Sequence, residues 1–334
     1  MNEKLNQLVR IAKNKSFFYH NLYKDIDSFE KAPFMFEKDA VDNCLSLNID
    51  KLSRIVSKSY VKDFVRCYSQ HSRQLFVETW IEKLALFKPL GKVLIVCGNK
   101  EKIALVEVIK DAVEICDGEV VYLLPGQPLS KGSQLINDPS ISTIISTDKA
   151  SLALGQYSHK VGLHPNLKQV ITLGKENNKA INQRINKYFN CEMHHGLYID
   201  ECECLLGFDD GKDGYVIDDN CYIEIVDNDK NILGNGEYGK LCFTTINDDC
   251  QPLIRYKTNL FTRIRRDNGR VDYVTSSEMD NNLYRFEGLI DYYIDDKVNI
   301  VALSQIDEER LYREIGRYNN LEVNIKYVSD YITE

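Results

Sequence analysis

Between Val93 and Tyr188 the chain alternates short apolar runs of strand length with longer stretches whose apolar residues fall at helical spacing, a pattern few folds accept. The run Val93–Cys97 is followed by a turn at Gly98-Asn99-Lys100, an apolar helix over 103–115, a turn at Asp117-Gly118 and a strand over 120–124. The motif recurs as strand 141–146, helix 149–159, strand 169–173 and helix 178–188. Strand-helix-strand units of this kind predict a parallel sheet with right-handed crossovers and helices on its faces. The turn at Gly98-Asn99-Lys100 opens a helix, where free N–H groups attract anions. It lacks the further glycines of a dinucleotide fingerprint or a Walker loop, so it reads as an ordinary strand-to-helix turn.

The flanks read differently. Leu5, Leu8, Val9, Ile11 and Ala12 predict an amphipathic helix that runs into the aromatic turn Phe17-Phe18-Tyr19, and Pro33 redirects the chain. Helical spacing returns over 73–87 through Leu75, Phe76, Trp80 and Leu84, and ends before Pro89 and Gly91. After Leu206 come short alternating segments, with turns at Asp209-Asp210-Gly211, Asn228-Asp229 and Asn235-Gly236. They predict a small β subdomain. A link over 284–291 then leads to a strand, a helix over 306–318 and a strand over 321–328. The expected division is an α/β body over 1–205, a β subdomain over 206–287 and a C-terminal βαβ piece over 288–334.

With 334 residues, 43% of them hydrophobic, the chain is long enough to bury a sizeable core. Its 50 acidic against 42 basic residues are spread along the sequence, which argues against nucleic acid, whose affinity comes from lysines and arginines neutralising phosphates. The basic knot Arg263, Arg265, Arg266 reads as a solvated strand end. No apolar run reaches the roughly 18 to 20 residues that a membrane span needs, and MNEKLNQLVRIAKNK has no apolar core of signal-peptide type. The expectation is a cytoplasmic protein whose ten cysteines are thiols. Cys202-Glu203-Cys204, with Cys191, His194 and His195 before it, lacks the second cysteine pair of a structural zinc site. Cys202 and the two histidines hold the residue types of an acyl-transfer nucleophile, but no spacing brings them together.

The stretch GKLCFTTINDDCQPLIRYKTNLFTRI, Gly239 to Ile264, alternates through Leu241, Phe243 and Thr245, turns at Asn247-Asp248-Asp249 and resumes at Pro252. Arg255, Tyr256 and Lys257 follow in a row. Burying an unpaired cation costs several kcal/mol, so such residues are expected to face a cleft or a subunit contact. This stretch closely resembles the Gly-Glu-Leu-Val-Phe-Thr-Thr … Pro-Leu-Ile-Arg-Tyr-Arg-Thr-x-Asp segment of the phenylacetate-CoA ligase branch of the adenylate-forming enzymes. Further matches lie in order along the chain. IAKNKSFFYHNLY … FEKAPFMFEKDAV resembles the opening of those ligases, and VITLGKEN at 170–177 resembles their Gly-Ala-Glu-Pro turn. Asn190 to Glu201 resembles the stretch that ends in Tyr-Gly-x-Ser/Thr-Glu, and Gly288-Leu289-Ile290-Asp291 resembles the Gly-Arg-x-Asp hinge.

The resemblance implies the large α/β domain of these enzymes with a β subdomain and a partial C-terminal lid. It also implies a reaction that joins a carboxylic acid to AMP and then to a thiol. Gly174, Glu176, His195, Gly196 and Tyr256 would line the remnant nucleotide or acyl cleft. His195, Arg255 and Lys257 are the candidate catalytic groups, and Asp200 and Glu201 the candidate metal ligands. The departures fall on the nucleotide side. Where the family has Ser-Ser-Gly-Thr-Thr-Gly-Lys-Pro, the corresponding RCYSQHSRQLFV at 66–77 contains no glycine, and so cannot wrap a phosphate cheaply. The magnesium-binding Glu falls on Ile199, the ribose-binding Asp on Leu260 beside Asn259, the adenine-stacking Tyr on His195 and the hinge Arg on Leu289. The lid is expected to be truncated, without the lysine that promotes adenylation.

Each lost charge-assisted contact costs on the order of 2 to 4 kcal/mol in a transition state. The sequence therefore predicts a ligase homologue that does not adenylate on its own and needs no cofactor. It would bind an acyl or aryl carboxylate, a thioester or a partner protein, with no nucleic acid and no membrane, in a biosynthetic setting. Two other readings stand beside it: an active ligase using ATP, Mg²⁺ and CoA with its lid supplied in trans, and a non-catalytic assembly protein.

Overall fold

The structure is a computed structural model and describes residues 2–49, 54–61, 64–87, 90–96, 103–199, 202–209, 211–212, 214–265, 270–274, 278–303, 306–318 and 321–328. The candidate metal ligands Asp200 and Glu201, the turn Gly98-Asn99-Lys100 and Arg266 lie outside these residues.

The chain begins with α1 (Asn2–Lys15), α2 (Phe17–Leu22), β1 (Met35–Phe36) and α3 (Glu37–Asp42). A hairpin of β2 (Ile55–Val61) and β3 (Phe64–Ser69) leads into α4 (Gln70–Leu84). The alternating section follows: β4 (Lys92–Val96), α5 (Ile103–Ile115), β5 (Glu119–Leu123), α6 (Leu129–Ile136), β6 (Ile141–Ser146), α7 (Asp148–Lys160), β7 (Gln169–Gly174) and α8 (Lys179–Phe189). Strands then dominate: β8 (Glu192–Ile199), β9 (Cys204–Asp209), β10 (Gly214–Ile217), β11 (Cys221–Val226), β12 (Gly239–Thr245), β13 (Tyr256–Thr262) and β14 (Arg270–Asp272). The last elements are α9 (Glu278–Leu283), β15 (Leu289–Ile294), β16 (Val298–Ala302), α10 (Glu308–Ile315) and β17 (Val323–Tyr327).

Side-chain caps fix where several helices start. Ser16 accepts from the Tyr19 amide and so divides the expected first helix into α1 and α2. Ser69 accepts from Ser72 N at the start of α4, Thr147 caps α7 and Asn178 caps α8. The α6 helix was not legible from spacing, because its short apolar set is interrupted by Gly132 and Ser133.

The elements group into two compact units, each drawn from separated segments: 1–90, 99–118 and 196–274 in the first, 91–98, 119–195 and 275–334 in the second. The sequence reading instead divides the chain serially, after 205 and after 287.

The first unit contains a sheet of order β1-β13-β12-β11, antiparallel except where β1 joins β13, and the β2-β3 hairpin. It also contains the antiparallel run of β9, β10 and β14, with the end of β8 paired to β9. Gly207 is required there. A Cβ at that position would lie 2.1 Å from the Val216 carbonyl oxygen of the neighbouring strand. The core of this unit joins Leu5, Val9 and Tyr19 to Leu241, Phe243 and Tyr256.

The second unit contains the parallel strands β7-β6-β4-β5, as the alternation predicts, and a sheet of order β15-β16-β17 in which α10 makes the crossover between two parallel strands. One apolar cluster joins Leu94, Ile144 and Val170 of the parallel strands to Leu152 and Ile181 of the helices. The same cluster takes in Leu289, Ile300 and Leu311, so the C-terminal strands and helix of this unit share its core. Among the described residues no helix is long and apolar enough to cross a membrane.

Candidate functional site

In open α/β sheets ligands bind outside the carboxyl ends of the parallel strands, so the ends of β6 and β7 are where the second unit is to be searched. The β7 strand stops at Gly174, and 175–178 lead to the capped start of α8. His195 of β8 lies against this turn: a Cβ on Gly174 would sit 3.6 Å from the imidazole Nε2. Gly174, Glu176 and His195 are therefore brought together. Burial pushes the His195 pKa down to about 3, against the opposing effect of a hydrogen bond with the Glu176 backbone. The ring is neutral at physiological pH and a very weak base, which does not suit general-base work.

The end of β6 carries a charged group that sequence reasoning missed. Lys149, in the first turn of α7, donates to Asp291 Oδ1 at 2.5 Å, and the Tyr284 hydroxyl donates to the same oxygen at 2.9 Å. Arg184 of α8 adds two bonds, to the carbonyls of Tyr284 at 3.2 Å and Leu289 at 3.1 Å. The hinge-like segment around Asp291 is thus tied to α7 and α8.

The remaining candidates belong to the first unit, and there the expectation of cations facing a cleft is corrected. Arg255 precedes β13 in a left-handed conformation with φ of 52°. Its guanidinium forks onto Glu224 of β11, with Nε to Oε2 at 3.0 Å and Nη2 to Oε1 at 2.7 Å. Nη1 donates to the Ala32 carbonyl at 2.6 Å, and the Phe34 ring lies 4.3 Å from the guanidinium carbon. Both side chains of the pair are almost wholly buried, at 4% and 3% exposure. The arginine pins three segments together. A buried cation is tolerable when a carboxylate neutralises it and main-chain acceptors fill its other donors, and this fold supplies both. Lys257 is also buried and donates to the Asp227 carbonyl at 3.2 Å. Burial and nearby Lys240 hold its ammonium below the usual lysine range. Tyr256 packs in the core, its ring centroid 5.2 Å from that of Phe243, and Gly196 pairs with Phe208 of β9. Glu224 was missed although its signal was present: it is the one acid inside the apolar run Tyr222 to Val226.

The stretch expected to stand in for the phosphate loop, 66–77, is the end of β3 running directly into α4. Two acids of the 246–251 turn close this junction. The Ser69 hydroxyl donates to Asp249 Oδ1 at 2.7 Å, and Arg66 is ion-paired with Asp248. Ile199, Leu260 and Leu289, which the resemblance sets at charged positions of those ligases, are 0%, 3% and 0% exposed. Nine described cysteines are free thiols, and no group of three or more His, Cys, Asp or Glu among the described residues is arranged to hold a metal.

This fold recurs in solved enzymes. A 2-hydroxyisobutyryl-CoA ligase crystallised in the postadenylation state superposes with a TM-score of 0.78 over 98% of this chain and 84% of its own, at 13% identity. The chain has the fold of the adenylate-forming CoA ligases. A benzoate CoA ligase from Burkholderia xenovorans LB400 matches with a TM-score of 0.58 over 84% of this chain and 66% of its own, at 13% identity. In sequence, a phenylacetate-coenzyme A ligase of Pseudomonas putida is 28% identical over 230 residues. That match covers 63% of this chain and spans half the length of the relative. No protein-family model matches the chain. The resemblance read from the opening motifs and the Gly239 to Ile264 stretch is therefore to a protein of the same fold, and the mixed α/β class read from the alternation stands.

Proposed function

We propose that this chain is a homologue of the phenylacetate-CoA-type ligases that binds an acyl or aryl carboxylate, or its thioester, and does not adenylate on its own. One observation carries the reading. The three positions that in the resembled ligases hold magnesium, hold the ribose and provide the hinge cation are here Ile199, Leu260 and Leu289, all packed in apolar cores. A buried aliphatic side chain offers no ligand to a metal and no partner to a hydroxyl, and replacing it in place by a carboxylate would bury an unpaired charge. Arg255, the arginine of the Gly239 to Ile264 stretch that is buried in an ion pair, supports the same reading, because Glu224 already neutralises it. What remains partly open to a ligand is the β7 turn with Gly174 and Glu176, against which the buried His195 ring packs.

Calorimetric titration with ATP and Mg²⁺, and then with AMP, tests the first half of this reading. No saturable heat is the expected outcome, and affinity in the micromolar range overturns it in favour of an active ligase that takes ATP, Mg²⁺ and CoA. A thermal-shift screen of short-chain, branched and aryl carboxylates with their CoA thioesters tests the second half. At least one acid or thioester is expected to raise the melting temperature in proportion to its concentration. Silence across the whole panel favours a non-catalytic assembly role instead.

A further inference from the structure

Among the described residues one lysine is buried: Lys257 of β13, in the first unit, at 8% exposure. Its hydrogen-bond partner is a neutral group, the Asp227 carbonyl, which accepts from Nζ at 3.2 Å. The Asp227 carboxylate is turned to Asn231, accepting from its amide at 2.8 Å and from its Nδ2 at 2.9 Å. Glu224, further along the same row of the sheet, is taken by Arg255. A buried ammonium is costly without a carboxylate to neutralise it, and Lys257 is set apart from Arg255 in this respect.

Strand register brings two more ammoniums to it. Lys257 pairs with Cys242 of β12 and with Phe36 of β1, and directly opposed residues share a face. Lys240 stands two residues before Cys242 on β12 and so lies on that face as well, its Nζ 5.6 Å from the Phe261 ring centroid. Lys230 comes from the turn after β11. Its amide donates to the same Asp227 carbonyl at 3.3 Å, and its Nζ lies 5.3 Å from the ring centroid of Phe36, the neighbour of Lys257 on β1. Burial first, then Lys240 and Lys230, hold the Lys257 ammonium below the usual lysine range, while Cys242 and Asp227 oppose them. Burial pushes the Cys242 thiol up, so it stays protonated and adds no anion at neutral pH.

A lysine beside other cations and shielded from water gives up its proton readily, and the free amine is a nucleophile. Access then limits what it can attack. With 8% of the residue exposed, a reagent of a few atoms can reach the amine and a bulky acyl donor cannot. The surrounding charge favours a product that is an anion. We propose that Lys257 is a site of reversible carbamylation by carbon dioxide. The Nζ lone pair attacks the carbon, an N–C bond forms, one C=O pair moves onto oxygen, and a proton leaves Nζ for solvent. The reaction needs no oxidant, reductant or further co-reactant. The carbamate nitrogen keeps one N–H, which continues to donate to the Asp227 carbonyl, and the new negative charge faces Lys230 and Lys240. Three mutually repelling ammoniums become two ammoniums about one anion, which a partly desolvated position strengthens.

The test incubates the full chain with ¹³C-bicarbonate at about pH 8 and then traps with triethyloxonium, which turns a carbamate into an ethyl carbamate that survives digestion and is located by mass spectrometry. Label at Lys257 is expected to saturate with bicarbonate, to exceed that at the exposed Lys4, Lys24 and Lys38 several-fold, and to vanish when bicarbonate is removed before trapping. Lys240→Met removes a cation that both lowers the ammonium and holds the carbamate. It should cut the label at Lys257 several-fold while the protein keeps its far-ultraviolet circular dichroism. No label at Lys257, label that merely follows exposure from one lysine to the next, or undiminished label in folded Lys240→Met would each overturn the proposal. So would inorganic phosphate that shifts the amides of 227–231 in a protein whose Lys257 takes no label, since the three lysines would then form a plain anion site. If Lys240→Met does not fold, Lys230→Met, on the exposed turn, takes its place with the same expectation.

Discussion

Among the described residues both units carry ion pairs at the surface, but the dry pairs fall in the first. In the first, Arg66 with Asp248, Arg255 with Glu224 and Lys83 with Asp218 are drawn into the interior, with carboxylates that are 7%, 3% and 3% exposed. In the second, Lys92 with Asp138, Lys149 with Asp291 and Lys297 with Glu322 stay partly in water. A charge fixed in a dry ion pair is committed to holding the chain together, because removing its partner leaves an uncompensated ion in low dielectric. A charge at a wet sheet edge can still be redirected to a ligand at small cost. Arg255, the cation that stands out in the sequence, is of the first kind, and Lys149 at the start of α7 is of the second. Ligand chemistry in this molecule is therefore to be sought at the carboxyl edge of the parallel strands.

The sharpest way to break this contrast is at Glu224. Replacement by alanine leaves the Arg255 guanidinium buried with only the main-chain acceptors Ala32 and Glu30, and should cost about 3 to 5 kcal/mol in urea unfolding. The joint replacement Glu224→Leu with Arg255→Met removes both ions and should recover most of that loss. If Glu224→Ala costs under about 1 kcal/mol, the pair is not structural, and Arg255 returns to the list of catalytic candidates.

A second test uses proton linkage at His195. The unfolded chain binds a proton on this residue near the ordinary value of about 6.5, whereas the folded protein does so only at about 3. Between these values the unfolded state holds more protons, so acidification favours unfolding, and the contribution of the neutral ring is fully present only above the upper value. Stability should therefore fall by a few kcal/mol as pH drops through this window, and His195→Phe should remove that component of the slope. Superimposable pH profiles for the two proteins would show that the imidazole is not dry.

The contrast also explains what could be read from residues alone. Periodicity reports which face of an element is apolar, so the strands β4 to β7 and the helices α5, α7 and α8 were legible. Periodicity does not report partners. Arg255 read as a cleft residue because its mate Glu224 lies 31 positions earlier in the chain, on a strand two removed from it in the sheet. The stretch 66–77 read as a missing loop because glycine content says what a segment cannot do. That it forms a strand and a capped helix, closed by Asp248 and Asp249, depends on residues about 180 positions away. Likewise no spacing pairs Lys149 with Asp291, which lies 142 positions later in the chain.

The smallest expected effects lie at that last contact, and they sharpen the comparison rather than break it. Arg184 spans two main-chain carbonyls, Tyr284 and Leu289, at the entry to β15, and losing both bonds in Arg184→Ala should cost about 1 to 2 kcal/mol. Lys149→Ala removes one half-exposed ion pair while Tyr284 continues to hold Asp291, so its cost should stay below about 1 kcal/mol and shrink further in high salt. Neither variant should uncouple β15 to β17 from the rest of the second unit, because Leu289, Ile300 and Leu311 remain in its core. Hydrogen exchange reads this directly. Faster exchange confined to 289–291 in the Arg184 variant, with Val298 to Ala302 still protected, is the expected pattern. Exchange that rises together across 289–302 would mean that polar contacts, and not the apolar core, hold the C-terminal sheet in place.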